Sequence, residues 1–212
     1  MPNIKKKVCV FDFDGTLVDS MDSFTLLAAE VMQAVYQLPL EEGSQAYIRT
    51  SGLPFREQLE LIFPNDTRNP IACQRFESAK KVNYLEKEFC KDAGETICYL
   101  QSKGIKVVVS SSNYQELVEE FLRRKEIQLD LVLGWRPNFS KGRDHFGRVR
   151  EVLTVSNESI LFVGDSLKDG ERARESSVDF IGKTGLFSAN DFRDHFPGVW
   201  VIDHLSELKS IL

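Results

Sequence analysis

The chain has 212 residues, 42% hydrophobic and 28% charged, with 27 Lys+Arg against 32 Asp+Glu for a formal net charge of −5. That length can bury a core without disulfides or a structural metal, and no apolar run reaches the roughly 18 residues of a spanning helix. The acidic balance excludes the chain-wide basic face that a nucleic-acid binder needs.

Lys5, Lys6 and Lys7 read as a solvated lead-in to a first strand, Val8-Cys9-Val10-Phe11, which Asp12 ends. Lysines leading straight into so short an apolar run do not make a signal peptide. From residue 18 to about 91 the pattern is helical. Phe24, Leu27, Ala28, Val31 and Val35 recur at helical spacing. Residues 53–63 read as a second helix, with Pro54 in its first turn and Pro64 at its end. Asn69-Pro70 opens a third, running through Phe76 and Ala79 towards Phe89.

Strand and helix signals then alternate. Asp92 is placed to cap a helix carrying Ile97 and Leu100, which Gly104 ends. A strand over 105–109 stops at Ser110-Ser111-Ser112-Asn113, and Asn113 is placed to cap a helix with Leu117, Phe121 and Leu122. Strands follow at 129–133, 160–163, 178–181 and 199–202, with helices at 143–153, 167–176 and 205–212. Continuous apolar runs alternating with helices predict an α/β protein with a parallel sheet covered on both faces. The expected domains are a core of residues 1–17 and 92–212 and an all-helical insert of residues 18–91. Cys9, Cys73, Cys90 and Cys98 show neither paired nor metal-type spacing, which points to free thiols and a cytoplasmic protein.

In an open parallel sheet, ligands bind beyond the carboxyl ends of the strands. The unusual residues lie there: Asp12 and Asp14, Ser110, Lys141, Asp165, and Asp169 one helical turn later. Alternation along the strand turns Asp12 and Asp14 to one side with Phe13 opposite. Two such carboxylates about 4 Å apart repel by about 4 kcal/mol at an effective dielectric near 20, so a cation or a shared proton must relieve them. Four carboxylates against one ammonium leave the edge strongly negative. An oxygen-only donor set of this kind suits Mg²⁺. His145, His195 and His204 lack zinc-ligand spacing and are expected in surface or core roles.

These segments resemble, in order, the four motifs of the haloacid dehalogenase superfamily: Asp12-x-Asp14-Gly15-Thr16, then Ser110 after a strand, then Ser140-Lys141-Gly142, then Gly164-Asp165-Ser166-x-x-Asp169. The resemblance implies a Rossmann-like core, a helical cap and a phosphatase. It makes Asp12 the nucleophile of an aspartyl-phosphate and Asp14 the general acid and base. Ser110, Ser111 and Lys141 would bind the phosphoryl group. Mg²⁺ would be held by Asp12, Asp165 and the Asp14 main-chain carbonyl, with Asp169 in support, orienting water or Lys141. Gly142 stands where many relatives carry proline, and the following segment is about one residue shorter.

Asp14 argues against dehalogenation, which needs no acid for the leaving group. Residues 18–60 hold no lysine for the Schiff base of phosphonate hydrolysis. A sugar-phosphate mutase using the same site, or a catalytically silent phosphate-binding homologue, are the alternatives. Residues 50–54 resemble the family's specificity loop, flanked by Arg49 and Arg56 as candidate contacts for an anionic substrate. The expected partner is a small phosphorylated metabolite rather than a nucleic acid or a membrane, with a monomer as the default.

Overall fold

Four consecutive apolar residues make β1 (Val8–Phe11) a strand buried on both faces. The computed structural model describes residues 6–212, apart from the side chain of Asn83. The other strands are β2 (Lys106–Tyr114), β3 (Leu131–Trp135), β4 (Ile160–Gly164), β5 (Asp179–Lys183) and β6 (Trp200–Ile202). They form one parallel sheet in the order β3-β2-β1-β4-β5-β6, the α/β arrangement expected. β1 lies centrally, with Phe11 level with Val109 on one side and Val163 on the other. Val8, Val10, Val108, Phe146, Val149 and Phe162 pack as a core on one face.

The chain divides into two compact units, one running to Asp19 and again from Glu88 to Leu212, the other from Ser20 to Lys87. The second unit holds α1 (Met21–Tyr36), α2 (Leu40–Arg49), α3 (Phe55–Ile62) and α4 (Asn69–Tyr84). Its core is aromatic: Phe55 stacks on Phe76 at 4.1 Å and Phe24 on Tyr84 at 5.7 Å. The helix expected over 53–63 is shorter, beginning after Pro54, and α4 stops at Tyr84 well short of Phe89. Helix α2 has no counterpart in the sequence reading. Its buried face is small, Gly43, Ala46 and Tyr47, so it carries little apolar periodicity.

In the sheet unit the helices are α5 (Ala93–Ser102), α6 (Gln115–Arg124), α7 (Arg143–Leu153), α8 (Leu167–Glu175), α9 (Ala189–His195) and α10 (Leu208–Ile211). Asp92 precedes α5, but its side chain makes no capping bond and accepts instead from the Ser206 N–H. Asn113 does not cap α6 either, because β2 runs on to Tyr114, which takes that position. The lysine lead-in also differs from expectation. Lys6 is buried, donating to Asp179 and to the Glu158 carbonyl, while Lys7 is exposed and Lys5 lies outside the described residues. All four cysteines are free. No helix among the described residues is long and apolar enough to cross a membrane.

Candidate active site

Because β2 and β4 flank β1 in parallel, with Val109 and Val163 level with Phe11, the residues next along each chain lie side by side. Asp12 follows Phe11 and its N–H donates to the Val163 carbonyl at 2.8 Å. Ser110 follows Val109, and Gly164-Asp165 follow Val163. The sequence separations of these residues are large, and the sheet register removes them.

Asp12, Asp165 and Asp169 each offer a carboxylate oxygen within 4.8 Å of the others. All three are buried. Lys141 enters the same cluster, its Nζ 2.6 Å from Asp12 Oδ1 and 2.6 Å from Asp169 Oδ1. The contact with Asp169 is ionic only, since that oxygen accepts no hydrogen bond of acceptable geometry. Burial drives the Asp12 carboxyl well above the usual range. Lys141 pulls it down, and Asp169 and Asp165 push it up again. Burial, with Asp169 adding to it, raises Asp165 to about 6. Lys141 loses hydration on burial, yet Asp12 and Asp169 hold it above its ordinary value. The cluster is therefore short of positive charge even with its lysine. Three buried carboxylates, each with an oxygen within 4.8 Å of the others, fit a hard divalent cation such as Mg²⁺.

Local sequence explains how these groups are held. Ser166 caps α8, accepting from the Asp169 N–H at 3.2 Å and donating to Asp169 Oδ2 at 2.8 Å. A Cβ on Gly164 would lie 2.6 Å from that same oxygen, so the absence of a side chain there is what lets Asp169 approach. Thr16 Oγ1 donates to Asp165 Oδ1 at 3.2 Å. Asp14 is not one of the three clustered carboxylates. Asn113 Nδ2 donates to its Oδ2 at 2.5 Å and restrains it. Ser110 is fully buried and lies 2.8 Å from His145 Nδ1, and Ser111 Oγ accepts from the Asn113 N–H at 3.1 Å. Lys183, at the end of β5, donates to the Gly15 carbonyl at 3.1 Å and steadies the turn after Asp14.

Gly142 explains the departure noted at the third motif. Its φ of 109° and ψ of −124° lie where side-chain-bearing residues are strained. Proline, locked near −65°, cannot adopt that φ. The turn lets α7 start at once, at Arg143. Gly142→Pro is expected to destabilise the protein by about 3 kcal/mol or more and to displace Lys141. Urea unfolding reads the first effect. Wild-type stability in that variant would contradict the role given to this turn.

The structure brings Asp12, Asp165, Asp169 and Lys141 into one cluster, with Asp14 just beyond β1 and Ser110 within β2. Arg49 and Arg56 are exposed on α2 and α3 of the helical unit. Asn113, Thr16, His145 and Lys183 were not singled out as site residues. Thr16 sits inside the first motif, but the others are signalled only by tertiary proximity.

The model of the haloacid dehalogenase-like hydrolase family matches residues 9–183. The chain is 25% identical over 191 residues to a phosphoglycolate phosphatase of Synechococcus elongatus, covering 84% of each chain. It is 26% identical over 203 residues to a phosphoserine phosphatase of Campylobacter jejuni subsp. doylei, covering 87% of this chain and 92% of the relative. A haloacid dehalogenase-like hydrolase of Streptococcus pneumoniae shares the fold, with a TM-score of 0.81, 18% identity, and 97% and 98% of the two chains covered.

Proposed function

The chain belongs to the haloacid dehalogenase-like hydrolase family, and from that premise we propose that it is a Mg²⁺-dependent phosphomonoester hydrolase working through an aspartyl-phosphate on Asp12. The observation that carries this reading is the buried Asp12 carboxylate, 2.6 Å from Lys141 and clustered with Asp165 and Asp169. A buried acid kept beside an ammonium and a cation site is equipped to approach an anionic phosphorus as a nucleophile.

In this reading one Asp12 oxygen attacks phosphorus in line as the bond to the leaving oxygen breaks. Asp14 gives its proton to that oxygen, then takes one from the water that cleaves the aspartyl-phosphate. Lys141, Ser110 and Ser111 hold the phosphoryl oxygens. Mg²⁺ held by Asp12, Asp165 and the Asp14 main-chain carbonyl, with Asp169 in support, would supply charge neutralisation of the phosphoryl group. The helical unit serves as the cap that reads the leaving group, with Arg49 and Arg56 as candidate contacts. The names of the relatives, phosphoglycolate and phosphoserine phosphatases, support a small phosphorylated metabolite as substrate. The free thiols support a cytoplasmic setting.

Turnover of an aryl phosphate and of a sugar phosphate, each with and without Mg²⁺, tests the proposal. Both reactions are expected to need the metal. Asp14→Ala is expected to slow the sugar phosphate by about 10²-fold or more beyond its effect on the aryl phosphate, because only the alkoxide needs a proton to leave. Equal losses on both substrates would remove Asp14 as the acid, and metal-independent turnover would remove the cation.

A further inference from the structure

The turn that delivers Lys141 also delivers an imidazole to Ser110. His145 lies in the first turn of α7 and is fully buried. Its Nδ1 is 2.8 Å from Ser110 Oγ, and the Phe139 ring packs on it with centroids 4.8 Å apart. Its Nε2 is buried and makes no hydrogen bond. Burial, reinforced by the Lys141 ammonium, pushes the ring down to about 3, so it is neutral near pH 7.

A neutral imidazole has one N–H, and its position decides what Ser110 can offer. With the hydrogen on Nε2, the Gly134 carbonyl is near but too poorly aligned to accept it, and Nδ1 takes up the only Ser110 hydrogen. The hydroxyl would then turn lone pairs towards an incoming anion. With the hydrogen on Nδ1, the ring donates to Ser110 Oγ and the hydroxyl hydrogen stays available. The Gly134 carbonyl acts on the ring and favours its protonation, but Nε2 makes no hydrogen bond to it. A bare ring lone pair is the less costly orphan.

We propose that His145 is a positioning residue for phosphoryl binding: as the Nδ1–H tautomer it donates to Ser110 Oγ, which leaves the Ser110 hydroxyl to donate to a phosphoryl oxygen. The proposal rests on the phosphoryl-binding reading of Ser110. Gly142 places α7 so that its first turn meets β2.

Nitrogen-15 histidine NMR of the whole protein tests it, with the His145 signals assigned by their loss in His145→Asn. The expected spectrum shows an Nδ1–H tautomer that does not titrate between about pH 6 and 8. An Nε2–H tautomer or an imidazolium overturns the proposal. Calorimetry with inorganic phosphate and Mg²⁺ gives the second readout. His145→Phe fills the space without a donor and is expected to weaken phosphate binding about tenfold. His145→Asn, whose amide N–H can replace Nδ1–H, is expected to recover most of that loss. Equal weakening in both variants, or unchanged affinity in His145→Phe, overturns the proposal. The NMR result decides if His145→Phe does not fold. Phosphate binding without turnover would sink the hydrolase reading alone, whereas turnover with unaffected variants would sink this one alone.

Discussion

Asp12→Asn is expected to abolish turnover, by on the order of 10⁴-fold or more in kcat, and to leave the fold intact. Asparagine keeps the shape of the side chain and removes the oxygen anion that would bond to phosphorus. The stability expectation follows from the surroundings. Asp12 is buried beside Asp165 and Asp169, and burial already disfavours its charge. Removing that charge relieves repulsion, and Lys141 keeps Asp169 as a partner at 2.6 Å. The melting temperature without metal should therefore match or exceed that of the parent protein. Steady-state kinetics with an aryl phosphate and thermal melting followed by circular dichroism check the two halves. A loss of less than about tenfold would contradict a nucleophilic Asp12.

Lys141→Met has the opposite balance. Methionine fills much of the space but leaves the carboxylates without their ammonium. Breaking a buried pair from one side costs about 3–5 kcal/mol, because the remaining charge is left uncompensated. Turnover should be lost as well, since Lys141 faces Asp12. The cost should depend on pH. Lys141 lowers Asp12, so its removal lifts the folded-state pKa still further above the unfolded value of about 3.9. A group that binds its proton more tightly when folded adds stability at low pH and loses it as pH rises through the folded value. The gap between parent and variant should thus narrow from about pH 8 to about pH 5 in urea titrations without metal. A constant gap across that range would mean that the cluster is not held together by charge.

The sheet was legible because each strand is built on a short apolar run, although β2 continues past its run through Ser110-Ser111-Ser112-Asn113 to Tyr114. β1 and β4 match their expected starts, Val8 and Ile160, because nothing competes with burial on both faces. Helices with small or short buried faces were not legible. α2 buries Gly43, Ala46 and Tyr47, and α9 spans seven residues with Phe192 as its buried member. The Ser188–Asp191 capping box was the available signal for α9. Asn113 reads locally as a helix cap, yet it lies in β2 and its amide serves Asp14.

The same division holds for the candidate site. Asp12 and Asp165 follow the ends of β1 and β4, and Ser110 lies within β2 one residue past Val109, which is level with Phe11, so the parallel register brings them together. Lys141 and Asp169 were recognisable from their motifs, and the ion pair between them was one of two roles expected of Asp169. His145 was expected to have only a surface or core role. Its link to Ser110 depends on how α7 approaches β2, and that approach depends on a backbone angle at Gly142 that sequence does not display. Lys6 differed for a similar reason. Its partners, Asp179 and the Glu158 carbonyl, lie more than 150 residues away.

The central claim is that Asp12 carries the phosphoryl group. An acyl phosphate is reduced by borohydride to an alcohol, so quenching steady turnover into borohydride should convert Asp12 to homoserine, as read by peptide mass spectrometry. The account predicts homoserine at position 12 when substrate and Mg²⁺ are both present, and an unmodified residue in Asp12→Asn. Continued turnover with Asp12 unreduced, or a phosphoryl group found on Ser110 instead, would contradict it.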